Sequence, residues 1–589
     1  MSDLSLEQLE RRVLESVSGE EMWRHMEYLC QIDRTSGTEG EHQAVDYVVE
    51  TLKKYGLPVE VYEFDAYLSY PVSATLETVS ETPESFPAKT RSFSGSTPEG
   101  GVIGEVVYVP GGKDMFRDFE TKKRLEALDL RGKIVLSEGG GRQNMLFAQE
   151  KGAVGYLHLW PSDEEQLHEG IVTPVWGTPT PETVGRIPQI PVATVNQATG
   201  RRLLSLAQQG PVRVRLTTKV ETGWRRVRLP VTTIPGQTDE FVLIAGHIDS
   251  WHLGATDNAT GNAACLEIAR VLAQYKDRLR RGVRIAWWPG HSTGRYAGSA
   301  WYADNFWQEL YDHCITYINV DSPGSLGAVE YRTVTAMAEN ARFAIDTVRD
   351  VTGQTPNWER PLRAGDQSFW GAGVPSLYML LSERPKDQSA RVGGSGGGWW
   401  WHTEEDTLDK ADRDILVKDT RVYTLAAFRL CTADMLPLDV GALTKEVEGI
   451  VAELKQQAQG RLDLQPVEAE TERLAAACRQ VQAALARLDD AGRQQAAGAY
   501  NRGALRAVKA IIPVNYTESG QFDHDPAVPL PPFPGLQPAA RLASLDPGSD
   551  EFRFLHTKLV RERNRVVFAL RQAAVAMEEA AAEIANLKG

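Results

Sequence analysis

Short apolar runs alternate with helically spaced apolar positions through the middle of the chain. Phe241 to Ala245 is a continuous apolar run of the kind buried on both faces of a sheet. From Asn262 the positions Ala263, Leu266, Ala269 and Val271 take up helical spacing as far as about Tyr275. The alternation repeats as strand Val283 to Trp288, helix Ser299 to about Asp312, strand Ile315 to Val320, helix Ala338 to Thr352 and strand Ser376 to Leu381. This pattern predicts an α/β fold, a mostly parallel mixed sheet flanked by helices. Ahead of it, residues 5 to 31 have helical texture. Thr38-Glu39-Gly40-Glu41 fits a capping box before a helix with Val45, Val48, Val49 and Leu52 on one face, and Val59 to Phe64 and Tyr67 to Val79 read as two strands.

A Pro-, Ser- and Gly-rich connection running to Gly101 marks a boundary. Between Val102 and about Thr222 the chain becomes a series of short strands with one or two helices, which predicts an inserted β-rich domain. Past Pro437 it turns rich in Ala, Leu, Glu, Gln and Arg, with helical periodicity at Leu443 to Leu454, Val467 to Leu488 and Leu559 to Ile584. Helices of this kind cannot each bury a face alone, so a bundle is expected. The 589 residues exceed what one core supports. The predicted division is residues 1–100 and 223–436 as the α/β domain, 101–222 as the insertion and 437–589 as the helical domain.

The formal net charge of -15 argues against a nucleic-acid partner, which would need a basic face. No apolar run is long enough to span a bilayer, so no membrane partner is expected. The first residues carry acids and no apolar signal core, which predicts a cytoplasmic protein. Five scattered cysteines without a Cys-x-x-Cys spacing predict buried thiols rather than a disulfide framework. His158 and His168 lack ligand spacing and read as surface or half-buried side chains. His524, between Asp523 and Asp525, reads as part of a solvated turn.

The candidate chemistry sits where the strand at 241 to 245 hands over to its helix. That loop packs His247, Asp249, His252 and Asp257, imidazole and carboxylate groups suited to zinc. One loop rarely completes a site, so further ligands are expected from other strand ends, with His291, Asp321, Asp366 and His402 as candidates in chain order. Gly393 to Gly398 precede Trp399-Trp400-Trp401. This run suits a mobile aromatic loop at a substrate mouth, or equally a disordered loop beside a buried aromatic cluster.

The set AGHIDSWHLGATDN, YINVDSPGS and WWWHTEEDTLD resembles the co-catalytic zinc exopeptidases. These include leucyl-type aminopeptidases, glutamate carboxypeptidase and the transferrin receptor. LRGKIVL followed by a helix and GAVGYLHL resembles the protease-associated domain often inserted into exopeptidases. The resemblance implies that His247 and Asp321 hold one metal, that Asp257 bridges two, that His402 holds the second and that Asp249 orients His247. It also implies a homodimer built on the C-terminal helices. Where the family has a Glu-Glu pair, general base and second-metal ligand, this chain reads WWPGHSTGRYAGS, and the pair falls on Ser292 and Thr293 or on His291 and Ser292. The hydrolytic base is missing. In one reading His291 replaces the ligating glutamate and His252 serves as ligand or base. One or two divalent ions are then expected, zinc foremost, with Ni, Fe or Cu suited to the nitrogen-rich position. In the other, the chain is a non-catalytic binding relative or a non-peptidase metalloenzyme. The expected activity is hydrolysis of a peptide or amide bond in a small or peptide substrate. Arg295, Arg363 and Trp401 are candidate substrate contacts, and Arg360 and Arg384 border the same region.

Overall fold

Two long strands, Val59–Thr78 and Arg213–Ile234, pair antiparallel along almost their whole length and join the halves of a single 12-stranded sheet. The computed structural model describes residues 5–110, 127–139, 142–378, 380–390 and 392–587. On one side of the long pair run Gly282–Trp288, Phe241–His247, Cys314–Asn319 and Ser376–Leu377, these four mutually parallel; only Gly282–Trp288 against Arg213–Ile234 is antiparallel. On the other side, Val102–Tyr108, Lys133–Ser137, Gly155–Leu159 and Val192–Val195 pair parallel in turn. Residues 102–195 therefore continue the same sheet as the strands at 241–247, 282–288 and 314–319.

The sequence reads Val59 to Val79 as two strands, and the structure makes it one. Pro71 is accommodated because the register shifts between Pro71 and Ser73, a bulge where no ladder donor is required. Residues 5 to 31 divide into helices Leu6–Ser16 and Gly19–Leu29, and Ser5, with Gln8, forms a reciprocal cap on the first. The expected capping box at Thr38 does not form. Thr38 Oγ1 donates to the Thr35 carbonyl instead, and the Glu41 carboxylate accepts the Gly37 N–H.

Both faces of the parallel strands are covered, and the strand Phe241–His247 is buried throughout. Arg413–Thr432 lies across one face against Thr260–Ala273. The C-terminal segment holds helices Val440–Ala458, Gln465–Leu485, Asp490–Tyr516 and Asp550–Ala585, the last packing on the second and third. All five cysteines are free and buried. No described helix is long and apolar enough to cross a membrane.

Candidate metal centre

The carboxyl ends of parallel strands bring the chemistry together, as open α/β sheets generally do. His247 is the last residue of Phe241–His247, His291 follows Gly282–Trp288 by three residues, and Asp321 follows Cys314–Asn319 by two. Asp257 lies in the wide turn Ala255–Ala259 that opens the helix Thr260–Ala273. That turn starts from Gly254 at φ 45°, where an added Cβ would stand 2.4 Å from the Asp257 carbonyl oxygen, so glycine is required. Arg34, wholly buried, donates to the carbonyls of Ile248, Leu253 and Gly254 and fixes the loop from below.

His247 Nδ1–H donates to the Asp249 carbonyl at 2.9 Å, which turns Nε2 toward Asp257 Oδ1 at 2.9 Å and Asp321 Oδ1 at 3.8 Å. His402 repeats the arrangement. Its Nδ1–H donates to the Glu169 carbonyl at 3.2 Å, and Nε2 stands 3.1 Å from Asp257 Oδ2. Both imidazoles therefore have their tautomer set by a backbone carbonyl and their other nitrogen aimed at one carboxylate, as ligating histidines do. Burial opposes charge on His247, and Asp249, Asp257 and Asp321 outweigh it and hold its pKa well above the ordinary imidazole value. Burial likewise works against the Asp257 carboxylate, but His247 and His402 hold it well below the usual range. Asp406 braces the site by accepting the backbone N–H groups of Thr256 and Asp257, tying the loop of His402 to that of Asp257.

His291 stacks on His247 with ring centroids 3.9 Å apart, and one of its ring nitrogens lies with a His247 nitrogen and an Asp321 oxygen within 4.8 Å of one another. Its Nδ1 is 2.7 Å from Asp366 Oδ2. Burial and His247 lower the His291 pKa, but the Asp366 carboxylate prevails and raises it to about 9. Asp249, expected to orient His247 by its side chain, does so mainly by its carbonyl. Its carboxylate, 3.4 Å from His247 Nδ1, accepts the backbone N–H groups of His291 and Ser292 at 3.2 and 2.8 Å. Ser292 and Thr293 are buried and place no carboxylate in the centre.

The structure does not bring His252 to this group. His252 has a left-handed backbone (φ 53°), and its Nε2 meets Glu169 at 3.3 Å and Glu404 at 3.6 Å. Lys89 lies 3.2 and 2.6 Å from the same two carboxylates and supplies their cation. His158 and His168 are buried, not at the surface. His168 Nδ1 donates to the Trp401 carbonyl and so steadies the aromatic loop. Trp401 stacks on His402 at 3.5 Å. His524 pairs with Asp304 at 2.9 Å, outside the centre.

A cavity of about 400 Å³ opens onto the centre, lined by Asp257, His291, Asp321 and His402 together with Arg295, Arg363, Trp401, Gly393 and Gly394. Glu169 and Arg91 reach the same cavity. Nothing in the sequence around either residue pointed there. Asp366 stood among the candidates, but its pairing with His291 depends on two turns far apart in the chain.

Residues 231–425 match the model of peptidase family M28. A protein named "Probable glutamate carboxypeptidase VP8" from Zea mays is 24% identical over 70% of this chain and 67% of its own length. "Probable lipoprotein aminopeptidase LpqL" from Mycobacterium tuberculosis is 27% identical over 68% of this chain and 82% of its own. Among solved structures, BSAP, a zinc aminopeptidase from Bacillus subtilis, shares the fold at a TM-score of 0.53 and 17% identity, over 70% of this chain and 95% of that one.

Proposed function

We propose that this chain, whose residues 231–425 match peptidase family M28, is a metal-dependent exopeptidase acting on a peptide or amide bond. One or two divalent ions, zinc foremost, would be held by His247 and Asp321 on one side of the Asp257 carboxylate and by His402 on the other. The observation that carries the reading is the convergence of two Nε2 atoms on the Asp257 carboxylate, at 2.9 and 3.1 Å, with Asp321 3.8 Å from His247. Ligands about 2.0–2.2 Å from a tetrahedral ion stand roughly 3.3 Å apart, and the His247–Asp257 and His402–Asp257 spacings are close to that, one on each oxygen of the carboxylate. When bound, the ion supplies Lewis acidity toward the scissile carbonyl and a water.

His291 takes the place of the absent acid pair. Its Nδ1–H is held by Asp366, and in the neutral ring, the form that the positive charge of a bound ion nearby would favour over the imidazolium, Nε2 is left to accept a proton from the attacking water and to return it to the leaving amine. Asp366 stabilises the imidazolium formed between those two transfers, and Asp249 fixes the loop that carries His291. A second reading makes His291 a ligand, favoured by the 4.8 Å grouping with His247 and Asp321, and would suit Ni, Fe or Cu as well as zinc.

Metal analysis and turnover of His291→Ala separate the two. The base reading expects full metal content with turnover lowered about 10²- to 10⁴-fold; the ligand reading expects metal to be lost. Metal-loaded wild-type protein that turns over nothing across aminoacyl, N-acyl-amino-acid and dipeptide substrates would overturn the hydrolase reading.

A further inference from the structure

Two consecutive residues, His168 and Glu169, hold the loop that carries His402. They lie in the chain between Gly155–Leu159 and Val192–Val195, two strands of the half of the sheet that does not contain His247. His168 donates Nδ1–H to the Trp401 carbonyl at 2.6 Å, and the Glu169 N–H donates to the His402 carbonyl at 2.8 Å. The Glu169 carbonyl in turn accepts His402 Nδ1–H at 3.2 Å. The Glu169 carboxylate reaches further along the same loop through Lys89, which lies 3.2 Å from it and 2.6 Å from Glu404.

The His402 loop needs such a hold. His402 has a left-handed backbone (φ 61°), a conformation that a residue with a side chain keeps only where its surroundings impose it. The preceding stretch, Gly393 to Gly398, consists of five glycines and a serine and brings almost no side chain to pack. Other ties of the loop reach Thr256: Trp400 Nε1–H donates to its hydroxyl at 3.1 Å, and Asp406 accepts its backbone N–H at 2.9 Å. They leave the carbonyls of Trp401 and His402 to His168 and Glu169. His247 is fixed differently, at the end of a strand buried throughout, with its Nδ1–H on the carbonyl of Asp249 in its own loop. The two imidazoles that meet on Asp257 are thus aimed by different parts of the chain. His168 is a firm anchor: it is buried, stacks on Trp160 with ring centroids 3.9 Å apart, and has its Nε2 2.7 Å from Glu164 Oε1, so the ring is pinned at both nitrogens.

We propose that His168 is a positioning residue for the ion on the His402 side of Asp257. By holding the Trp401 carbonyl it sets the direction of the His402 ring and with it the affinity at that position, while the His247 and Asp321 side is independent of it. Loss of a group that orients a ligating imidazole typically weakens metal binding about 10- to 100-fold. The inference rests on the metal centre read above for its ion, and is independent of which bond is cleaved.

The test is zinc bound per chain against buffered free zinc, for the metal-stripped full chain as wild type, His402→Ala, His168→Phe and His168→Asn. His402→Ala identifies the binding step that His402 carries. His168→Phe keeps a stacked ring and loses the hydrogen bond. Half-saturation of that step should then need about 10- to 100-fold more free zinc, and any step that survives His402→Ala should stay within about threefold of wild type. His168→Asn can place an amide N–H where Nδ1–H stands and should recover most of the loss. Thermal melts of the metal-free chain identify a variant that fails to fold; in that event Glu164→Ala, which frees the ring at Nε2, should weaken the same step at least about threefold. Coincident curves for wild type and His168→Phe, equal weakening of a step that His402→Ala spares, no recovery in His168→Asn, or an unmoved step in Glu164→Ala overturns the positioning role. With a wild type that takes up zinc, those results sink this inference alone. A wild type that takes up no zinc sinks the metal reading, and this inference with it.

Discussion

His291 Nδ1 lies 2.7 Å from Asp366 Oδ2, and Asp366 Oδ1 accepts the Ser299 hydroxyl at 2.7 Å. Asp366 adopts a left-handed backbone (φ 55°) that directs its buried carboxylate at a histidine 75 positions earlier. Such a pairing fixes the ring's tautomer and stabilises its cation. In Asp366→Asn an amide replaces the carboxylate and the charge stabilisation goes. Turnover on a competent substrate should fall about 10²- to 10⁴-fold, while metal content by mass spectrometry stays at the wild-type level. A rate left at the wild-type value removes the pair from the chemistry.

Asp257 is shared between His247 and His402, so its loss should empty the centre more completely than loss of either histidine. Binding at a metal concentration about a hundredfold above Kd stabilises a folded chain by about 2.7 kcal/mol. Chelation should therefore lower the melting midpoint of the wild type and leave that of Asp257→Asn unmoved. Equal responses of the two proteins to chelator would place the metal elsewhere.

The strand-end chemistry was legible because strands and motif coincide: Asp257 and Asp321 each lie within 4 Å of His247, and His402 lies within 4 Å of Asp257, while the helix Ala338–Thr352 has the bounds its periodicity implies. Elsewhere the local signal was weak. The helix Asp490–Tyr516 is buried on most sides and rich in Ala and Gly, so it carries no clear apolar stripe to read. Its Gly503 lets Ala576 and Ala580 of the last helix approach closely. The predicted strand Ser376 to Leu381 is only Ser376–Leu377, since Tyr378 turns into a left-handed conformation. His252 had the right chemistry in the right loop, and its backbone sends it to Glu169 and Glu404; sequence order places a residue in a loop and leaves its direction open.

On the helix Asp550–Ala585, Phe554 and Phe568 are 74% and 63% exposed and stand about four turns apart on the same side. Large exposed aromatics on one helix face suit a partner, and we propose that a second copy of this chain covers them. Light scattering at micromolar concentration should give twice the chain mass, and Phe568→Glu should shift the population toward monomer. A wild-type monomer under those conditions rules the dimer out.

Glu339 gives stability a pH dependence of calculable sign. It lies in the first turn of Ala338–Thr352, buried, with neither carboxylate oxygen hydrogen-bonded. Burial raises its pKa from 4.5 to about 8, with Glu446 adding to the rise and its own backbone N–H and Arg360 opposing it. Between those two values the folded chain keeps a proton that the unfolded chain releases. This contribution to stability is therefore complete below about pH 4.5, is lost progressively as pH rises toward 8, and stays lost above it. Each tenfold change in proton affinity corresponds to about 1.4 kcal/mol, so the loss is on the order of a few kcal/mol. Glu339→Gln keeps the shape and cannot ionise. It should melt at a higher temperature than the wild type at pH 8, and the gap should close toward pH 5. Parallel melting curves for the two proteins across that range would show that Glu339 ionises as freely in the folded chain as in the unfolded one.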